Sequence, residues 1–118
     1  MLTIGAVFAA LAVIIGAFGA HALKDKVSSN DLSIFEIGVR YQMYHSLGII
    51  LLGLITNFIP NNLISPVAYF MLAGIFIFSG SLYLIVLFDI RWLGILTPIG
   101  GVCFIIAWLL LAYNIYRF

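Results

Sequence analysis

The sequence predicts an all-α membrane protein, a four-transmembrane-helix bundle, on three observations. Of its 118 residues, 65% are hydrophobic and only 8% are charged, whereas a soluble domain averages about 25% charged residues. Mean hydropathy is +1.27, so the bilayer has to serve as solvent. The apolar residues gather into four runs, each close to the ~20 residues that cross about 30 Å of hydrocarbon. A net charge of +1 offers no clustered Lys and Arg for phosphates, which excludes nucleic acid as a partner. Cys103 is the only cysteine, so no intrachain disulfide can form.

The first span is expected from Leu2 to Leu23. Ala20-His21-Ala22 has the form of a small-x-small cleavage site. No Lys or Arg precedes the apolar run, however, and it exceeds the roughly 15 residues of a signal-peptide core. A retained span is the expectation. Gly5, Ala9, Ala12, Gly16 and Gly19 fall at alternating spacings of four and three, which makes one helix face almost bare of side chains. In lipid such faces let backbones approach closely. This helix is therefore expected at the packed centre of the bundle.

Lys24 to Ser33 is polar. Ser33 and Glu36 have the spacing of a capping box, and Glu36 and Arg40 that of a favourable i,i+4 pair. The second span follows from about Ile37 to Ile59, closed by a turn of Asn57, Pro60, Asn61 and Asn62. Ser65-Pro66 then suits the N-cap and first position of a third helix, running to about Phe88 with Ile85 facing lipid. Asp89-Ile90-Arg91 is too short to join anything but antiparallel neighbours. The fourth span, Trp92 to Tyr116, contains Pro98, which frees and crowds the carbonyl four residues back, at Gly94; a kink is expected there. Gly80, Gly100 and Gly101 are further close-packing positions. Trp92, Tyr113 and Tyr116 sit where interfacial aromatics belong. With no internal repeat, the chain reads as one domain, residues 1–118.

Depth counting places the polar residues together. Four spans put the first and third turns on one side of the membrane. From that side, His21, His45, Tyr83 and Thr97 each lie within about 10 Å of the interface at 1.5 Å rise per residue. Tyr41, Gln42 and Tyr44 accompany His45, while Ser79 and Ser81 continue deeper. Two readings of this cluster stand. Tyr41, Gln42 and His45, within one helical turn, could hydrogen-bond across helices to Ser79, Ser81 and Thr97 as structural glue. Alternatively, costly intramembrane polar groups mark a ligand, proton or substrate site. Two histidines without a cysteine or a nearby ligand carboxylate make no metal set, so neither a metal nor a cofactor is assigned. No nucleophile motif, phosphate loop or paired carboxylates point to a hydrolase or phosphotransferase, and no catalytic residue is assigned.

Four motifs carry a resemblance: Gly16-Ala-Phe-Gly-Ala-His21, Tyr41-Gln-Met-Tyr-His45, Phe78-Ser-Gly-Ser-Leu-Tyr83 and Thr97-Pro-Ile-Gly-Gly101. In this order, over essentially the whole chain, they resemble the small bacterial membrane proteins of unknown function that include YwdK and YgdD. The resemblance implies a four-span protein of the plasma membrane and carries no activity, substrate or cofactor. The expected role is a non-enzymatic bundle that forms a homo-oligomer or supports a membrane-protein partner through its small-residue faces. The alternatives are binding or passage of a solute, lipid or proton through the polar cluster, and a His-based redox or metal protein. Lys24, Lys26, Arg40 and Arg91 flank one side, which places the first turn in the cytoplasm and both termini outside.

Overall fold

Helices account for nearly all of the described chain, Met1–Phe118, in the computed structural model. They are α1 (Leu2–Leu23), α3 (Asn61–Phe88) and α4 (Arg91–Arg117), with α2 (Ser29–Ile55) between the first two; no strand is present. Three of them, α1, α3 and α4, are long and apolar enough to cross a membrane. The 27 residues of α2 are long enough, but Arg40, Gln42, His45 and Ser46 dilute its apolar character.

Several helix starts differ from expectation, each for a local reason. α2 begins four residues before Ser33 because Ser28 is the cap: its Oγ accepts the Asp31 N–H at 3.1 Å. With that cap and an acid already in the first turn, Ser33 and Glu36 are interior positions. Pro60 caps α3, which starts at Asn61 rather than at Ser65-Pro66. Pro66 lies inside the helix, withholding one ladder bond, to the exposed Asn62. In α4 the stretch around Gly94 and Pro98 is not one continuous α-helix. Residues Arg91–Ile95 make a 3-10 turn, and the α-helix starts afresh at Thr97. Pro98 therefore falls in a first turn, where its missing N–H leaves no bond unmade. Both α1 and α3 contain one π-helical turn, Ile15–Gly19 and Ile75–Ser79. Asp89 ends α3 with φ 57, a left-handed conformation that Asp tolerates better than most side chains.

The small-residue stripe of α1 lies against α2. A Cβ on Gly5 would stand 2.8 Å from the Ser46 carbonyl oxygen and 2.9 Å from the Ile50 nitrogen. On Gly16 it would meet Val39 Cγ1 at 2.8 Å, and on Gly19 Phe35 Cζ at 3.0 Å. Ala12 between them is buried and Ala9 half-buried. Yet α1 is not the centre of the assembly: Gly5 and Ala12 are its only buried residues. A bare face admits one close neighbour but supplies no side chains to fill the space among three. The core lies instead among α2, α3 and α4, where Ile49, Leu52, Ile64, Val67, Met71, Ile75, Phe104 and Ala107 pack together. The assembly is accordingly flat, 50 × 26 × 16 Å.

At Gly100 the backbones of α3 and α4 approach closely; a Cβ there would lie 2.7 Å from Phe78 Cα. Gly101 is looser, with nothing nearer than 3.8 Å, and Gly80 and Gly94 have nothing within 4 Å, so these last two are not packing positions. Ile85 is buried with Leu82 and Leu93 and does not face lipid.

Candidate functional site

Gln42, near the middle of α2, joins three helices. Its Nε2 donates to the Phe8 carbonyl of α1 at 2.9 Å, and its Oε1 accepts the Tyr83 hydroxyl of α3 at 2.7 Å. One helical turn on, Ser46 Oγ donates to the Gln42 carbonyl at 2.6 Å. Ser79, at the end of the α3 π-turn, donates to the Gly38 carbonyl at 2.7 Å. That bond is available because Gly38 has no side chain to hold α3 away; a Cβ there would meet Tyr83 Cε1 at 2.9 Å.

His45 joins α2 to α4. Trp108 Nε1 donates to His45 Nε2 at 3.0 Å. An indole N–H can only donate, so Nε2 is the acceptor and Nδ1 carries the hydrogen, which it donates to the Tyr41 carbonyl at 2.7 Å. The imidazole also stacks on Phe104, with ring centroids 3.5 Å apart and planes 10° from parallel. Both nitrogens and one face are thus committed. Near the third turn, Ser81 Oγ and Thr97 Oγ1 lie 2.6 Å apart, and Ser81 also donates to the Phe78 carbonyl at 2.9 Å. Every buried side-chain nitrogen and oxygen of the protein has a partner.

The structure gathers these residues differently from the depth count. Gln42 bonds to Tyr83 and α1 rather than to Ser79, Ser81 or Thr97, and His45 bonds to Trp108. His21 is exposed and shares no cluster with His45. Two residues past Gly19, it points about 200° around the helix from the face on α2. Tyr44, two residues past Gln42, likewise faces outward and is 55% exposed. Tyr41 is 40% exposed, packed by its ring on Phe78 at 4.8 Å. Sequence reasoning missed Trp108, Ser46 and Asn114. Asn114 is buried in the otherwise apolar half near the second turn, donating to the Leu63 carbonyl at 2.7 Å. A lone amide in an apolar span was its signal, since such a group needs an internal partner.

At the polar end, Arg91 bridges the first and third turns. Its guanidinium meets Asp31 through two bonds, 2.9 and 2.7 Å, and its Nε meets Asp89 at 2.6 Å. Arg91 holds the Asp31 carboxyl below its ordinary 3.8, chiefly by these hydrogen bonds, with partial desolvation opposing. The same bonds to Asp31 and then Asp89 raise the guanidinium's own pKa. The arrangement can therefore lock helices while pairing every buried polar side chain. No three His, Cys, Asp or Glu side chains come together as a metal set.

Known proteins agree with the resemblance drawn from the motifs. The family described as "Protein of unknown function (DUF423)" matches residues 15–101, a stretch that contains or overlaps all four. A UPF0382 membrane protein of Staphylococcus epidermidis is 47% identical over 115 residues, covering 98% of this chain and 93% of its own. One from Staphylococcus aureus is 45% identical over the same length and shares of each chain. The UPF0382 membrane protein YwdK of Bacillus subtilis is 41% identical over 109 residues, 92% of this chain and 89% of its own. No solved structure matches. On the family match and these near-full-length relatives, the chain belongs to the DUF423 family, among the UPF0382 membrane proteins.

Proposed function

We propose that this is a four-span protein of the bacterial plasma membrane that works by assembly rather than catalysis, oligomerising or supporting a membrane partner. α2 serves as the fourth span: 27 residues reach about 40 Å at 1.5 Å per residue. Of the polar side chains that lower its hydropathy, Gln42, His45 and Ser46 are buried inward, while the exposed Arg40 pairs with Glu36 one turn earlier.

The observation that carries the reading is the closure of the polar network. Gln42, His45, Ser46, Ser79 and Ser81 bond to groups of neighbouring turns and helices. Groups so committed fix one arrangement of helices and leave none free to move a proton or hold a substrate. An assembly face remains on α1. With Gly5, Ala12, Gly16 and Gly19 turned to α2, the small residues Ala6, Ala10 and Ala17 stay exposed on its outer side, at spacings that let another helix approach.

Disulfide trapping in native membranes tests this, with Ala10→Cys as the sole cysteine in a Cys103→Ala background. The reading expects cross-linking to a second copy or to another membrane protein, weakened when Ala6→Leu is added. An Ala10→Cys chain that stays monomeric and unattached across the whole membrane would overturn it.

A further inference from the structure

One recess in the molecule combines shape with polar groups that the fold leaves unused. Between α2 and α4 lies a groove of about 510 Å³, bordered by Tyr41, Tyr44, His45, Gly101, Phe104 and Trp108. Sites for small molecules occupy about 300–1,000 Å³. Its back is rigid: the His45 ring, stacked on Phe104, is pinned between the Tyr41 carbonyl and Trp108. Gly101 leaves the α4 side open, the nearest atom to a Cβ there being 3.8 Å away.

The two tyrosine hydroxyls at the border set the groove apart. All the buried polar groups nearby are paired, whereas the partly exposed Tyr41 and Tyr44 hydroxyls make no hydrogen bond within the chain. Tyr41 and Tyr44 lie one and four residues past Arg40, whose side chain is exposed, or about 2 and 6 Å along the helix. With no partner in the chain, their hydroxyls are donors open to acceptors on an occupant of the groove. No charged side chain borders the groove, so the occupant is neutral. The flat walls of Tyr41, Phe104 and Trp108 favour a flat ring, through offset or edge contacts. A concave recess walled by rings also suits a ring sliding between them better than the convex side of another helix.

We propose that this groove binds a neutral, flat, carbonyl-bearing ring on an apolar tail, the chemistry of an isoprenoid quinone, with Tyr41 and Tyr44 donating to its oxygens. This goes beyond the assembly reading but rests on its placement of α2 across the bilayer.

Trp108 supplies the reporter. In a Trp92→Phe background it is the only tryptophan, since the chain has two. Full-length protein in nanodiscs is titrated with a short-tailed naphthoquinone. The expected result is saturable quenching of Trp108. It should weaken about tenfold in Tyr41→Phe/Tyr44→Phe, where two hydrogen bonds are lost, and disappear in Gly101→Leu, which fills the groove. A tailed naphthalene without carbonyls should not compete. The tyrosine variants should melt as the parent does, because both side chains are partly exposed and unbonded at the hydroxyl. Quenching that never saturates, or is unchanged in all variants, overturns the proposal. So does loss of self-association in the tyrosine variants with quenching intact, which would give the face to a second copy. Labelling of Ser29→Cys and Asn61→Cys from one side would instead refute the four-span placement, and failed binding with opposite-side labelling sinks the groove alone.

Discussion

Replacing Gln42 with Leu removes the one side chain that ties α1, α2 and α3 together. Two bonds are lost, to the Phe8 carbonyl at 2.9 Å and from the Tyr83 hydroxyl at 2.7 Å. Side-chain hydrogen bonds between membrane helices average about 0.6 kcal/mol and reach about 1.7, so the pair contributes roughly 1–3 kcal/mol. The Phe8 carbonyl keeps its place in the α1 ladder, but the Tyr83 hydroxyl is left in an apolar cleft without its acceptor. Most of the loss should therefore come from Tyr83, and Tyr83→Phe should relieve it. Unfolding in mixed micelles, measured for both single variants and the double, reads this directly. Gln42→Leu should destabilise by about 1–3 kcal/mol, with the double variant closer to the parent than the sum by at least about 0.5 kcal/mol. Additive single effects, or a Gln42→Leu protein as stable as the parent, would mean that Gln42 does not hold the Tyr83 hydroxyl in this way.

Three further outcomes follow. His45→Gln should keep most of the stability, since an amide can accept from Trp108 and donate to the Tyr41 carbonyl, whereas His45→Leu strands the Trp108 N–H at a cost of about 1–3 kcal/mol; equal melting of the two would contradict the bonding described. Gly100→Ala drives a Cβ to 2.7 Å from Phe78 Cα and should cost about 1–3 kcal/mol as overpacking does, while Gly80→Ala, with nothing within 4 Å, should be neutral or better in the same melting assay. Asp31, held below its ordinary 3.8 by Arg91, adds stability that is fully present above that value and fades as pH falls through the depressed one; Asp31→Asn should flatten the acid limb of a melting-temperature profile below about pH 4, and raised salt should shrink the difference.

Composition made the fold class legible, and the charged turns located the helices, because hydrocarbon tolerates so few alternatives. Counting along the axis also brought Gln42, His45, Ser79, Ser81 and Tyr83 to neighbouring depths. It could not give direction around the axis, and so grouped His21 and Tyr44 with residues that point elsewhere. The stripe on α1 was legible as a close-packing face, but its place at the edge was not. Spacing shows how near one partner can come, whereas the core forms where large side chains from three helices meet, around Met71 and Phe104. Trp108 was read past for a related reason: in an apolar span an indole looks like bulk until a partner for its N–H is identified. Ser28, not Ser33, starts α2 because both serines carry an acid three residues on, and tertiary pairing of Asp31 with Arg91 favours the earlier cap.

Assembly of the bundle requires α2 to cross the bilayer with Gln42, His45 and Ser46 turned inward. Ser29 and Asn61 are both exposed, one at the start of α2 and the other just beyond its end. In a Cys103→Ala background, Ser29→Cys and Asn61→Cys are labelled in intact cells with a thiol reagent that cannot cross the membrane. Asn61→Cys should react from outside and Ser29→Cys only after permeabilisation; reaction of both positions from the same side would show that α2 does not cross the bilayer.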